Sequence, residues 1–284
     1  MKPTLLVLAA GLGSRYGGLK QLDTIGPNGE IIMDYAIHDA LKAGFGSIVL
    51  IVQEQMIPIL NERYQLQPVS FVVQDKQIVI NNTVYQNNKP WGTAHALWCA
   101  RNAIKSNFLL INADDFYGQN SYSLAYNHLS KFQNPCAIVF PILKTLSENG
   151  KVNRAEIKVK NDFVIDSIER ENIRKTDNGI VYTNLDGENI KLESSILVSM
   201  NMWGFTPIVF DYIENDLKNF IEKWQLDNRL EYQLPSIVTS MINKKLMQVK
   251  VIPTNEEWIG VTYQEDKEIA IGQLKKLHDL GLYK

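Results

Sequence analysis

Two short segments of the chain carry residue types that are suited to phosphate chemistry. The first, Gly11-Leu12-Gly13-Ser14-Arg15, is followed by Lys20. Glycines let the backbone approach a ligand, exposed N–H groups in such a turn bind phosphate oxygens, and Arg and Lys add positive charge. The second segment, Asp114-Asp115, ends an apolar run. Because Mg²⁺ is bound by one or two carboxylates together with water and phosphate oxygens, we predict a phosphate site and a metal site.

The glycine-rich segment matches neither of the two best-known phosphate-binding motifs. A Walker A loop has Lys and then Ser or Thr directly after its second glycine, whereas Leu19 follows Gly18 here. A dinucleotide fingerprint has a third glycine three residues after Gly13, where this chain has Tyr16. The spacing favours phosphate binding, and the alternatives are a tight turn with solvated charges and, for Asp114-Asp115, a pair of capping aspartates.

Composition excludes several classes of protein. A formal net charge of -2 over 284 residues argues against a nucleic-acid partner, which favours a basic surface. Cys99 and Cys136 have no zinc or redox spacing, so we expect a reducing compartment, the cytoplasm. The apolar run from Thr4 to Ala10 is too short to span a membrane, and it predicts a buried strand rather than a secretory signal or membrane contact.

Strand and helix patterns alternate in the first part of the chain. The predicted strands are 5–10, 48–52, 69–73 and 108–111, and the predicted helices start at Asp34 and Thr93, each as N-cap, with Gly44 ending the first. This alternation predicts a Rossmann-like, mixed but mainly parallel central sheet flanked by helices. Because ligands bind beyond the carboxyl ends of such strands, the glycine-rich segment and Asp114 should lie on one sheet edge.

The second part of the chain is less regular and predicts a smaller, β-rich portion. Residues 155–159 and 163–168 predict a hairpin around Asn161-Asp162. Helices are predicted at 208–224, 234–242 and 265–280, with a strand at 247–252. The polar segment 81–89 predicts a loop.

The segment Leu8-Ala9-Ala10-Gly11-Leu12-Gly13-Ser14-Arg15, followed by Lys20-Gln21-Leu22, resembles the signature of the sugar-phosphate nucleotidylyltransferases. The resemblance implies that a loop wraps the triphosphate and that Arg15 and Lys20 neutralise charge during transfer. The implied triphosphate contacts are Ala9, Ala10, Gly11, Gly13 and Ser14.

A second segment, Pro90-Trp91-Gly92-Thr93-Ala94-His95-Ala96-Leu97, resembles the part of this family that packs beside the nucleobase. The resemblance makes Gly92 and Thr93 nucleotide contacts, and a plain helix N-cap is the alternative for this pair. The family's base-reading Gln falls on Asn87, and Gln86 precedes it, so both are candidates.

Later segments resemble the family's metal and sugar positions. Ile111 to Gly118 matches a strand-end Asp followed by Phe-Tyr-Gly, which makes Asp114 the Mg²⁺ ligand by resemblance and Asp115 the second candidate. The implied sugar-binding residues are Tyr117, Gly118, Glu169, Arg170 and Asn201. The family's second metal Asp, two residues after a late Trp, is replaced here by Gly260.

Taken over the chain, the resemblance implies a single domain over 1–284 with the nucleotide-diphospho-sugar transferase fold. Residues 1–118 would form the nucleotide-binding half, and 119–284 the sugar-binding half and the C-terminal helix. The implied reaction moves a nucleotidyl group from an NTP, with dTTP or UTP favoured, to a sugar-1-phosphate, and homo-oligomers occur in the family. The alternatives are a non-sugar phosphate acceptor and a non-catalytic nucleotide-binding regulator.

Overall fold

A computed structural model describes residues 1–11, 20–184, 186–260 and 265–283. Within them the α-helices are α1 (Ile32–Ala43), α2 (Ile57–Tyr64), α3 (Thr93–Cys99), α4 (Gln119–Leu129), α5 (Val209–Leu226), α6 (Leu234–Asn243) and α7 (Asp266–Asp279). The strands are β1 (Thr4–Leu8), β2 (Ser47–Val52), β3 (Val69–Val73), β4 (Gln77–Ile80), β5 (Thr83–Gln86), β6 (Phe108–Asn112), β7 (Asp115–Phe116), β8 (Cys136–Pro141), β9 (Val152–Lys160), β10 (Phe163–Thr176), β11 (Gly179–Thr183), β12 (Asn189–Leu192), β13 (Leu197–Phe205), β14 (Lys250–Pro253) and β15 (Ile259–Gly260).

One large sheet of eleven strands runs through the described part of the chain. Its order is β12-β11-β10-β14-β8-β13-β6-β1-β2-β3, and β9 pairs with both β10 and β13. The block β6-β1-β2-β3 is parallel throughout, β8 and β14 are parallel to each other, and β13 runs antiparallel between β6 and β8. The predicted mixed α/β architecture is therefore confirmed.

The continuous apolar character of β1 is explained by cores on both faces of the sheet. Leu5 and Val7 belong to one buried cluster, and Leu6 belongs to another on the opposite face. In β6, Leu109 and Ile111 alternate in the same way with Phe108 and Leu110. A strand covered on both faces has no polar position to alternate, so its sequence reads as an uninterrupted apolar run.

Two of the predicted helix starts are wrong by one to three residues. Asp34 is the third residue of α1 rather than its N-cap, and its carboxylate accepts a hydrogen bond from the backbone N–H of Ile31. The N-cap of α3 is Gly92, and Thr93 is the first helical residue. Gly44 ends α1 in the left-handed conformation, as predicted.

The two predicted features in less regular sequence had different outcomes. The hairpin around Asn161-Asp162 is confirmed, and both residues have positive φ, as its two-residue turn requires. The loop predicted over 81–89 is wrong for Thr83–Gln86, which pairs with β4 around an Asn81-Asn82 turn. Among the described residues, no α-helix is long and apolar enough to cross a membrane.

The C-terminal segment is attached to α1 through a cluster of aromatic rings. The Tyr283 hydroxyl donates to Asp39 Oδ2 at 2.8 Å, and its ring meets Tyr35 edge-on with centroids 4.9 Å apart. The Asp39 side chain is also 3.1 Å from His38 Nδ1. Burial raises the pKa of Asp39 to about 6, although the bonds from His38 and Tyr283 oppose the shift. Docking of the C-terminus therefore buries a carboxyl group whose proton uptake is coupled to folding.

We expect Asp39→Asn to remove a pH dependence of stability between about pH 4 and 6. The folded state keeps a proton that the unfolded chain has lost in this window, so the free energy of unfolding of the wild type falls as pH rises. Between pH 4 and pH 7 the free energy of unfolding of the variant should rise by about 2 kcal/mol relative to that of the wild type. The amide oxygen that replaces the carboxylate can still accept the hydrogen bond from the Tyr283 hydroxyl, and the amide can still face His38. Urea unfolding at several pH values measures this, with exposed Asp186→Asn as control, and parallel wild-type and Asp39→Asn profiles would contradict the prediction.

Candidate active site

The glycine-rich segment and the aspartate pair begin side by side. Leu8, the last residue of β1, is in register with Asn112, the last residue of β6. The backbone N–H of Ala113 donates to Leu8 O at 3.1 Å. The chain therefore leaves two adjacent parallel strands at the same sheet edge, with Gly11 three residues after one end and Asp114 two residues after the other.

Two glutamine side chains hold the start of the glycine-rich segment. Gln53 Nε2 donates to Ala10 O at 3.0 Å, and Gln21 Nε2 donates to Gly11 O at 2.9 Å. Gln21 belongs to the single-turn helix Lys20–Leu22. This bond places the backbone of Lys20 beside the start of the segment, while the predicted residues Gly13, Ser14 and Arg15 lie outside the described residues.

The adjacent aspartates have different surroundings. Asp115 is buried and accepts hydrogen bonds from Asn112 Nδ2 at 2.8 Å and the Tyr117 hydroxyl at 3.1 Å. Burial raises the pKa of Asp115, and the charge of Asp114 raises it further. Asp114 is half-buried. This arrangement gives Asp115 a structural role and leaves Asp114 as the carboxylate nearer to solvent.

Behind the aspartates, β13 contributes a strained asparagine. Asn201 has φ of +61° at an irregularity in the pairing of β13 with β8. Its Nδ2 donates to Asn112 Oδ1 at 2.6 Å, and its Oδ1 is a buried acceptor without a hydrogen-bond partner in the described part of the chain. Tyr117 is fully buried, and its hydroxyl also bonds to Met200 O at 3.0 Å. Asn201 thus offers an unused acceptor, whereas the Tyr117 hydroxyl is engaged within the protein.

Gly118 is required by the packing of a glutamate. Its φ is +76°, and a Cβ there would lie 2.4 Å from Glu256 Oε2. The other carboxylate oxygen, Oε1, accepts from the backbone N–H of Asn120 in the first turn of α4 at 3.1 Å. The glycine of the Phe-Tyr-Gly segment therefore lets a carboxylate cap the start of this helix.

Gly92 lies against the backbone that leads into α6. Its φ is +117°, and a Cβ there would lie 2.5 Å from Tyr232 O. Tyr232 N donates to Trp91 O at 2.6 Å, Tyr232 O accepts from Ala94 N at 2.9 Å, and the Thr93 hydroxyl accepts from Leu234 N at 2.9 Å. These contacts tie the start of α3 to the start of α6.

We expect Gly92→Ala to lower the free energy of unfolding by about 2 kcal/mol or more, because the side chain combines an unfavourable φ with a backbone collision. The matched control is Gly29→Ala, since Gly29 has φ of +88° and nothing within 4 Å of the added Cβ. Urea unfolding of both variants separates the effect of the collision with Tyr232 from the effect of the unfavourable φ. Equal losses in the free energy of unfolding would show that Tyr232 does not constrain position 92.

The candidate base-reading residues lie at the end of the β4–β5 hairpin. Gln86 is the last residue of β5 and is exposed. Asn87 N donates to Lys76 O at 3.1 Å, and Asn87 Oδ1 accepts from Lys89 N at 3.2 Å. The Gln86 side chain is therefore the more available of the two for a ligand.

The adjacent acidic and basic residues of β10 have different partners. Glu169 is exposed. The pKa of its carboxyl is raised because partial desolvation outweighs the lowering effect of the Arg154 charge. Arg170 is paired with Glu156, with Nε and Nη2 each 2.8 Å from Oε2, and its Nη1 donates to the Tyr182 hydroxyl at 3.0 Å. The guanidinium of Arg170 is thus already neutralised within the protein.

Arg154 is a buried cation that the sequence analysis did not identify. It lies on β9, and its pKa is lowered to about 10 by burial, while Asp115, Glu169 and Asp266 raise it. Its guanidinium packs over the Trp258 ring, 4.7 Å from the centroid. The available signal was the buried alternation Val152, Arg154, Glu156 within β9, where a charged residue occupies an inward position.

The position of Gly260 is also set by Trp258. Gly260 is in register with Asp115 through the pairing of β15 and β7. A Cβ at position 260 would lie 2.1 Å from Cζ2 of Trp258. The indole ring therefore occupies the space that a side chain at position 260 would need.

The described residues contain no group of three or more His, Cys, Asp or Glu side chains that could enclose a metal ion. A single carboxylate such as Asp114, completed by water and phosphate oxygens, still fits Mg²⁺, which rarely uses an all-protein cage. The site is therefore suited to an ion that arrives with a phosphate ligand.

Comparison with known proteins identifies relatives at the level of family and fold. A family model described as nucleotidyl transferase matches residues 5–261. No curated protein sequence matches the chain.

Three solved structures resemble the chain at low sequence identity. A protein described as a glucose-1-phosphate thymidylyltransferase from Bacillus anthracis, in complex with sucrose, has TM-score 0.64 and 13% identity over 96% of this chain and 95% of that one. A UDP-glucose pyrophosphorylase in complex with UDP-glucose has TM-score 0.64 and 15% identity over 96% and 98%. An inositol-1-phosphate CTP transferase from T. maritima has TM-score 0.65 and 15% identity over 96% of both chains. These similarities establish a shared fold.

Proposed function

Because this chain belongs to the nucleotidyl transferase family, we propose that it transfers a nucleotidyl group from an NTP to a sugar-1-phosphate and releases pyrophosphate. The observation that carries the proposal is the paired exit of β1 and β6, which brings Gly11, the first residue of the glycine-rich segment, and Asp114 to one edge of the sheet. The parallel block β6-β1-β2-β3 then serves as a Rossmann-like nucleotide half within 1–118, and 119–284 supplies the acceptor half.

The proposed reaction is a direct in-line displacement. A phosphate oxygen of the acceptor attacks the α-phosphorus, a new P–O bond forms, and the bond to pyrophosphate breaks. Catalysis of this kind depends on positioning and on charge neutralisation. Backbone groups from Ala9 to Ser14 hold the triphosphate, and Arg15 and Lys20 neutralise its charge.

Asp114 is the proposed ligand of a divalent ion, which we take to be Mg²⁺. Bound Mg²⁺ supplies positive charge to the phosphate oxygens. The buried Asp115 and its partners Asn112 and Tyr117 fix the backbone that presents Asp114.

Two groups of residues determine the proposed specificity. Gln86, with Asn87 beside it, reads the base, and Gly92 and Thr93 form the floor beneath it, with dTTP or UTP favoured. On the acceptor side, Glu169 and the unused Oδ1 of Asn201 bind hydroxyl groups, and Tyr117 and Gly118 support this wall. Location in the cytoplasm and self-association stay predictions.

A non-sugar acceptor is the second candidate. The neighbour described as an inositol-1-phosphate CTP transferase has the same fold at similarity comparable to that of the two sugar-related neighbours. A phosphorylated polyol presents the same two features, hydroxyl groups and a phosphate, to Glu169 and Asn201.

A pyrophosphate-release assay over UTP, dTTP, CTP, ATP and GTP against sugar-1-phosphates and polyol phosphates tests the proposal. Release with a sugar-1-phosphate supports it, and release only with a polyol phosphate selects the second candidate. Nucleotide binding without pyrophosphate release from any pair would contradict the enzyme function and favour a regulatory protein.

A further inference from the structure

Arg154 is a buried cation whose direct partners, among the residues that the structure describes, are all neutral. Only 9% of the surface of this residue is exposed to solvent. Nε and Nη2 donate to Thr145 O at 3.1 and 2.6 Å, and Nη1 donates to Asn153 O at 2.8 Å. The remaining contact is the face of the Trp258 ring. A buried charge without a direct counter-ion is unfavourable, so this guanidinium is suited to receive an anion.

The other arginine in this region has its charge neutralised. Arg170 is bonded to Glu156, which also contacts Lys158. The pKa of Glu156 is lowered because these hydrogen bonds outweigh the opposing effect of burial. A phosphate that binds Arg170 would have to displace or approach the Glu156 carboxylate. In the described part of the chain, no carboxylate is in direct contact with Arg154, so a phosphate that binds there has none to displace.

The position of Arg154 relates it to both parts of the site. Its charge interacts with Asp115, next to the proposed metal ligand, and with Glu169, the proposed hydroxyl-binding residue. Trp258 covers one face of the guanidinium and also fills the space above Gly260, opposite Asp115. Arg154 is therefore within electrostatic range of both the aspartate pair and a proposed acceptor-binding residue.

We propose that the Arg154 guanidinium, rather than that of Arg170, binds the phosphate of the acceptor, an inference that rests on the function proposed above. Three of its five N–H groups bond to backbone carbonyls, which leaves one N–H on each Nη. Two such groups match two oxygens of a phosphate. Arg154 keeps its proton throughout, and it holds the non-attacking oxygens while the third oxygen forms the bond to the α-phosphorus.

Steady-state kinetics of Arg154→Gln, Arg154→Lys and Arg170→Gln tests this assignment. For Arg154→Gln we expect the KM for the acceptor to rise about 10- to 100-fold, the value of a charge-assisted hydrogen bond, while the KM for the NTP changes less than about twofold. Arg154→Lys should restore part of the loss because it keeps the charge. Arg101→Gln is a matched control, since Arg101 also stacks on a tryptophan, 3.5 Å from the Trp98 centroid, and donates to a backbone carbonyl.

A larger rise in acceptor KM for Arg170→Gln than for Arg154→Gln would overturn the assignment. Because replacing a buried arginine can unfold the protein, a crystal structure of the wild type with inorganic phosphate gives a second measurement. Phosphate within hydrogen-bond distance of Arg154 Nη atoms supports the assignment, and phosphate at Arg170 instead overturns it. If the protein releases pyrophosphate in the assay but the crystal structure shows phosphate only at Arg170, this inference alone is refuted. If phosphate is bound at Arg154 but no substrate pair releases pyrophosphate, the proposed function alone is refuted.

Discussion

Asp114→Asn is expected to reduce the turnover number about 100-fold or more while leaving the fold intact, because a neutral amide is a much weaker ligand for a divalent cation. Asp114 is half-buried two residues beyond the end of β6, and its replacement is isosteric. Pyrophosphate release measures the effect on turnover, and thermal unfolding confirms the fold. Titration with Mn²⁺ in the presence of the nucleotide, followed by electron paramagnetic resonance, measures metal binding independently of turnover.

The comparison with two further aspartates makes this prediction specific. Asp227→Asn is the surface control, because Asp227 pairs with Arg229 at the end of α5. Asp115→Asn tests the other candidate ligand, whose carboxylate is bonded to Asn112 and Tyr117. Unchanged Mn²⁺ binding in Asp114→Asn, together with its loss in a folded Asp115→Asn, would assign the metal to Asp115.

Lys20→Ala is expected to lower the turnover number about 100- to 1000-fold, the usual cost of removing one group that stabilises charge in the transition state. Lys20 begins the helical turn whose next residue, Gln21, bonds to Gly11 O. The backbone of the lysine is therefore held beside the start of the glycine-rich segment, where the triphosphate is proposed to bind.

Two measurements accompany the Lys20 variant. Its thermal unfolding should match that of the wild type, and exposed Lys131→Ala should keep full pyrophosphate release. Wild-type turnover in Lys20→Ala would remove Lys20 from the proposed mechanism without affecting the fold assignment.

Features determined by local sequence were predictable. The buried strands β1, β2 and β6 were identified because residues covered on both faces leave a nearly uninterrupted apolar run. The Asn161-Asp162 turn was identified because a two-residue hairpin needs residues that tolerate positive φ. The juxtaposition of Gly11 and Asp114 followed from the rule that parallel strands present their carboxyl ends on one edge.

Features determined by distant contacts were not predictable. Thr93 has the residue type of an N-cap, but its hydroxyl bonds to Leu234 N, 141 positions away, and Gly92 is the cap. Residues 83–86 read as a polar loop because the sequence does not reveal pairing with the equally short β4. Arg154 was missed because the charge looks exposed until Trp258 and the Thr145 carbonyl are seen to enclose it.

The antiparallel strand β13 limits how this protein can close around its substrates. It is hydrogen-bonded to β8 along one edge, and along the other edge to β9 and to β6 of the proposed nucleotide half, and it carries Asn201. A hinge rotation of one half against the other would break this ladder, so enclosure of the reactants must come from rearranged side chains and connecting segments at the rim. The radius of gyration in solution scattering should accordingly stay constant when both substrates are added.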